Sequence, residues 1–251
     1  MFNIQRIVSE LKRRKVLMKI VSSSFLAMPV NIAVSFITFR EIEPYFMGIW
    51  ATMVVFETYA NILRFGVVNG MNRELPYAMG AGKEEDARTY AQTTLIFNLF
   101  STVLLWSIVP FIVSNFELNS TYLACMSVNL LRVSLTFYTT YLAGTFRTTD
   151  NFNKLSNIQF TMIGVHLLLS PLIIFFKFNG YLLMQGMMVI TNTILLHLYR
   201  PFNVRPRFNL QAFFLLIKTG FPLFITSYLV SFIDTLPRLF IINFGNEILL
   251  G

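Results

Sequence analysis

The sequence predicts an all-α, polytopic membrane protein: a transmembrane bundle of six complete helical spans plus a seventh, with the N-terminus cytoplasmic. Three observations predict it. The 251 residues are 55% hydrophobic and 13% charged, about half the roughly 25% charge of a water-facing domain. Apolar runs of about 20 residues, enough for a helix to cross a bilayer, recur along the chain. Basic residues collect in alternate short connectors, the arrangement that orients membrane helices.

The N-terminal segment places Lys12, Arg13, Arg14 and Lys15 ahead of an apolar run. That run is too long for a signal-peptide core and no small-residue cleavage site closes it, so it reads as an uncleaved first span. Ile4, Ile7, Val8 and Leu11 share one helical face, which places residues 1–15 along the cytoplasmic interface. Spans are expected at 16–39, 45–68, 93–113, 121–146, 158–176 and 180–198, with the seventh running from 212 to 244. One side of these spans holds Arg6, residues 12–15, Lys19, Arg73, Lys83, Arg88, Arg147, Lys154, Arg200, Arg205 and Arg207, fourteen of the twenty basic residues; the other holds only Arg40 and Lys177. The richer side is therefore the cytoplasmic one. The outer connectors REIEP, SNFELNS and KFN are too short to house a catalytic domain.

The formal net charge of +8 follows this orienting pattern, so no nucleic-acid partner is expected. Cys125 is the one cysteine, and His166 and His197 sit in separate apolar runs. That leaves no disulfide framework, no metal site and no cofactor. Gly80, Gly82 and Lys83 do not form a nucleotide loop, because Glu84 stands at the Ser/Thr position and no glycine lies five before Gly82. No catalytic motif appears, and the chain reads as a non-enzyme.

Four basic residues fall inside expected spans: Arg64, Arg132, Lys218 and Arg238. A charge at the centre of an isolated membrane helix costs about 2.5–3.5 kcal/mol, so these should face a bundle interior or a water-filled cavity; snorkelling accounts for Lys218. They belong to polar stripes. Glu57, Asn61 and Arg64 are spaced i, i+4, i+7 on the second span. The first carries Ser24, Asn31 and Ser35; the fourth Cys125, Asn129, Arg132 and Thr136; the seventh Ser227, Ser231, Asp234 and Arg238. Glu57 with Arg64, and Asp234 with Arg238, are alternatively structural ion pairs, although Pro237 distorts the latter turn. Arg132 has no acidic neighbour on its own helix. Arginine binds phosphate oxygens in pairs and keeps its charge in a low dielectric, so an excess of arginine suggests an anionic substrate.

Beyond the second span, FGVVNGMNRELPYAMGAG is expected to break the helix at Gly66, Gly70 and Pro76 and to turn tightly at Gly80 and Gly82. With the short outer loop leading to YFMGIW, and with GFPLFITSYLVSFIDTLPRLFI at 220–241, it resembles the oligosaccharide flippases of the multidrug/oligosaccharidyl-lipid/polysaccharide exporter superfamily. The resemblance implies two related halves around a central cavity, so residues 1–205 would form the first repeat and 206–251 would begin a second, in a chain expected to be an N-terminal fragment. It also implies O-antigen-type lipid-linked glycan flipping for polysaccharide biosynthesis, in a cell (cytoplasmic) membrane. The implied partners are the lipid bilayer, a lipid-linked oligosaccharide and other polysaccharide-assembly membrane proteins.

Stripe spacing and membrane depth then assign Arg64, Arg132, Arg238, Asn61, Asn129 and Asn31 to the cavity, and Glu57 and Asp234 to charge balance or ion coupling. Gly66, Gly70, Arg73, Glu74, Pro76, Gly80 and Gly82 would form a cytoplasmic hinge or gate. A multidrug antiporter, a membrane-embedded glycan polymerase or ligase, and an inactive or purely structural truncated membrane protein remain alternatives.

Overall fold

Eight α-helices account for nearly all of the described chain. The computed structural model describes residues 2–115 and 119–244; side chains are described from Met18, except at 20, 21, 23, 24, 112 and 242–244. The basic cluster at 12–15, the apolar face at 4–11, Ser24 and the stretch 245–251 thus lie outside the described side chains. In order the helices are α1 (Phe2–Glu41), α2 (Pro44–Ala60), α3 (Val67–Gly80), α4 (Glu84–Asn115), α5 (Ser120–Thr148), α6 (Phe152–Leu169), α7 (Pro171–Leu198) and α8 (Leu210–Phe244), with a 3₁₀ turn at Asn61–Arg64 between α2 and α3.

Local chemistry sets these boundaries. Glu84, Glu85 and Asp86 fill the first turn of α4, where carboxylates complement the helix dipole. Asn119 caps α5 by accepting from the Tyr122 amide at 2.9 Å. Pro171 opens α7, where its missing N–H costs nothing. Helix α7 is kinked at Lys177, φ 52° and ψ −129°. There a Cβ on Gly180 would lie 1.9 Å from the Leu172 carbonyl oxygen, so only glycine permits this close approach. Lys177 also pairs with Glu41 at the end of α1, and that hydrogen bond holds the Glu41 carboxyl below the ordinary carboxylate range.

Among the described residues, four helical segments are long and apolar enough to cross a membrane: Pro44–Arg64, Glu84–Asn115, Pro171–Leu198 and Leu210–Ile241. This is fewer than the seven expected. Amides and lysine in α6 and the hydroxyls and arginine of α5 lower their apolarity, and the first expected span lies within a longer, more polar α1.

The bundle is organised around α5, which packs on α2, α3, α4, α6 and α7. Its Phe137, Tyr141, Leu142 and Phe146 are at most 2% exposed. Two apolar cores result. One joins Ile49, Trp50 and Met53 of α2 to Met126 and Val133 of α5 and to Ile173, Phe178 and Leu182. The other joins α3, the start of α4 and the later part of α5 to Leu216 of α8. Helix α8 lies against α3, α2 and α4 and leaves Phe214, Leu223, Leu229 and Ile233 exposed.

The α3–α8 contact is closed by three glycines. A Cβ on Gly70 would sit 2.1 Å from the Leu216 carbonyl oxygen, and one on Gly220 would sit 2.1 Å from that of Gly66. The expected break falls only at Phe65 and Gly66, both left-handed (φ 45° and 74°). Helix α3 continues through Gly70 and Pro76, because Gly70 serves helix packing and the exposed Pro76 is accommodated there.

Candidate functional site

Polar residues gather into two separate cavities, one on either side of the α2–α5 seam. The larger, about 640 Å³, lies among α1, α5, α6 and α7, with Asn72 of α3 at its edge. Arg132 and Arg147 of α5 both line it. Fifteen residues apart on one helix, they stand about 22 Å apart along its axis. Thr136, Thr139 and Thr140 fill the wall between them, faced by Asn31, Gln159, His166, Gln185 and Asn192. Among the described lining residues there is no carboxylate.

Arg132 is tightly held at one end of this cavity. One terminal nitrogen pairs with Glu57 Oε2 of α2. The other donates to Gln185 Oε1 at 3.1 Å, and the guanidinium carbon lies 5.2 Å from the Trp50 ring centroid. Trp50 in turn meets Tyr181 edge-on at 5.4 Å. The Arg132 and Glu57 side chains are only 22% and 17% exposed, so the pair is desolvated as well as close. The acidic partner that Arg132 lacks on its own helix comes from α2. Glu57 does not pair with Arg64, because α2 ends at Ala60 and the tighter 3₁₀ turn that follows rotates Arg64 out of register.

The smaller cavity, about 340 Å³, lies between the α2–α3 junction and α8 and is lined by Thr58, Asn61, Arg64, Gly66, Val68, Asn69, Phe224, Ser227, Tyr228 and Ser231. Here Arg64 donates to Asn61 Oδ1 at 3.3 Å and lies 5.8 Å from the Phe137 ring centroid. Asn61 is fixed by its own amide, which donates to the Glu57 carbonyl at 2.9 Å.

The sequence-predicted site residues therefore divide. Arg132 and Asn31 share the large cavity; Arg64 and Asn61 share the small one with the Ser227 and Ser231 stripe of α8. Asp234 and Arg238 are exposed on α8, and no ion pair joins them among the described residues. Asn129 is fully buried, and both its amide atoms lack a hydrogen-bond partner among the described residues. In the expected hinge, Arg73 pairs with Glu74 at 3.8 Å; Gly80 ends α3 and Gly82 turns at φ 73°.

Sequence reasoning passed over Arg147, Gln159, Gln185 and Asn192. Gln159 with His166, and Gln185 with Asn192, repeat the i, i+7 spacing of the other stripes, and that spacing was the signal available. Among the described residues no group of three His, Cys, Asp or Glu side chains gathers as a metal site. The chain matches no family model, no curated protein and no solved structure.

Proposed function

We propose that this chain is a seven-span membrane transporter, N-terminus cytoplasmic, that moves a polyprenyl-diphosphate-linked oligosaccharide from the cytoplasmic to the outer leaflet by alternating access. The observation that carries the reading is the large cavity. It places Arg132 within the bundle and the exposed Arg147 at the C-terminal end of α5, with no carboxylate among the described lining residues, which favours a ligand carrying phosphate and disfavours the lipophilic cations of a drug exporter. Hydroxyl and amide side chains between Arg132 and Arg147 offer donors and acceptors for sugar hydroxyls. The volume of about 640 Å³ suits a diphosphate with its first sugars and leaves the prenyl chain to the bilayer. Arg132 takes the diphosphate in exchange for Glu57. The α2–α3 junction acts as the cytoplasmic hinge.

Reconstitution tests this reading. In liposomes containing a fluorescent polyprenyl-diphosphate oligosaccharide, the protein should move label between leaflets, read by quenching from one side. Arg132→Lys, which keeps charge and loses the planar fork, should slow movement at least about tenfold at equal protein level. Movement no faster than in protein-free liposomes, or a normal rate with Arg132→Lys, overturns the proposal.

A further inference from the structure

We infer that α8 is the seam of a homodimer: two copies of this chain lay α8 against α8 in the membrane, and Asp234 of each copy pairs with the partner's Arg238. The inference stands apart from the transport reading. It starts from two charges on a surface that otherwise meets lipid. Helix α8 is the least covered of the membrane-length helices among the described residues, with 11% of its span buried against 24–33% in the other three. On it Asp234 and Arg238 are both exposed. Neither has an ion-pair partner among the described residues.

Contacts with α2 set the depth of these charges. Gly66 meets Gly220, and Tyr59 meets Phe232 edge-on at 5.9 Å, so α2 and α8 run antiparallel. Tyr59 stands fifteen residues from Pro44, where α2 begins, about 22 Å along the axis. Asp234 is two residues beyond Phe232 towards that end, which sets it about 19 Å below Pro44, and Arg238 about 13 Å below. The hydrocarbon core is about 30 Å thick. The short side chain of Asp234 cannot reach water from there, and charges at such depth face protein or a polar cavity because lipid cannot solvate them. Neither residue lines either cavity, which leaves protein.

Charge names the occupant. It must present a cation to Asp234 and an anion to Arg238 at those two depths, and a second α8 does both. Two copies inserted in the same orientation are related by a two-fold axis along the membrane normal, so their α8 helices run parallel and every contact occurs twice. Asp234 and Arg238 are four residues apart, about 6 Å along the axis. An arginine side chain bridges that step between helices packed about 8–10 Å apart. The rest of the stripe suits the same contact. Leu223, Ser227, Val230 and Asp234 follow at four, three and four residues and all are exposed, the spacing of the seam between two supercoiled helices.

Energy transfer between donor- and acceptor-labelled copies in liposomes, followed as lipid dilutes the protein, tests this; the labels sit on Lys83→Cys, in an exposed turn. The otherwise unaltered chain should associate well above chance. Asp234→Arg alone and Arg238→Asp alone should each weaken association at least about tenfold, because like charges then meet across the seam. Donor-labelled Asp234→Arg mixed with acceptor-labelled Arg238→Asp should recover it to within about threefold, since both crossing contacts again join opposite charges. A pair within one helix cannot give that recovery. Where a charge variant fails to fold, Val230→Cys should oxidise to a covalent dimer in the membrane and Leu168→Cys, on α6, should not. Transfer at the chance level at every dilution overturns the dimer and gives this face to lipid or to a different polypeptide. Single variants that associate like the parent, no recovery in the mixture, or Leu168→Cys cross-linking as readily as Val230→Cys overturn it equally.

Discussion

Arg132 and Arg64 lie on either side of the same seam, and their partners give them different consequences for stability. Arg132 shares a desolvated pair with Glu57. Removing one member of such a pair leaves a buried charge and costs about 3 kcal/mol. Glu57→Gln should therefore destabilise the protein by about that amount, and Glu57→Gln with Arg132→Gln should recover part of the loss. Chemical unfolding of the four-member cycle checks this; a coupling near zero would mean the pair is not formed. Glu41 and Lys177 predict a pH dependence. The folded-state pKa of Glu41 is lowered from 4.5, so the pair's contribution is complete above the unfolded value. It is lost as pH falls below 4.5 through the folded value. In Lys177→Met the unfolding midpoint should consequently fall less steeply over this acid range than in the parent. Both charges of the Glu57–Arg132 pair were legible in the sequence as costly residues in apolar helices. Their pairing was not, because it joins positions 75 apart and periodicity orders residues only within one helix.

Glycine does opposite jobs in neighbouring positions of one element. At Gly66 it supplies a left-handed turn; at Gly70 and Gly220 it removes a side chain so that α3 and α8 can touch. Gly70→Ala would set a methyl group against the Leu216 carbonyl and should cost more than about 2 kcal/mol. Gly80 has open space around it and a helical setting, so Gly80→Ala should be neutral or gain up to about 1 kcal/mol. Denaturant unfolding of the two variants distinguishes packing from flexibility as the reason for each glycine. Two expected spans match helices closely, 121–146 with α5 at Ser120–Thr148 and 212–244 with α8 at Leu210–Phe244, while 45–68 runs over the break after Ala60 and 158–176 crosses the boundary between α6 and α7 at Ser170. The packing glycines were read as helix breakers because their sequence signature is the same; what separates the two cases is the helix lying opposite.

At the scale of the whole molecule, polar stripes expected to share one cavity line two. A stripe gives the direction in which a helix is polar and is silent on which neighbour it meets, so stripe spacing and membrane depth grouped Arg64 with Arg132. The central placement of α5 separates them, since its apolar Phe137 and Val133 fill the seam. If the large cavity holds water in the membrane, Asn192→Cys should react with a membrane-impermeant thiol reagent. Leu168→Cys, on the 77% exposed outer face of α6, should stay unlabelled within the bilayer. Native Cys125, fully buried, gives no background. Labelling of Leu168→Cys in preference to Asn192→Cys would reverse which surface faces lipid.

The glycine contact between α3 and α8 makes those two helices one mechanical body. With backbone against backbone at Gly66, Gly70 and Gly220, neither helix can slide without lifting the other off its seat. A displacement of α8 should therefore carry α3 with it, and the nearest break in the helical path is the left-handed pair Phe65 and Gly66. Arg64 lies beside that break, three residues along the chain from Asn61, to which it is hydrogen-bonded at 3.3 Å.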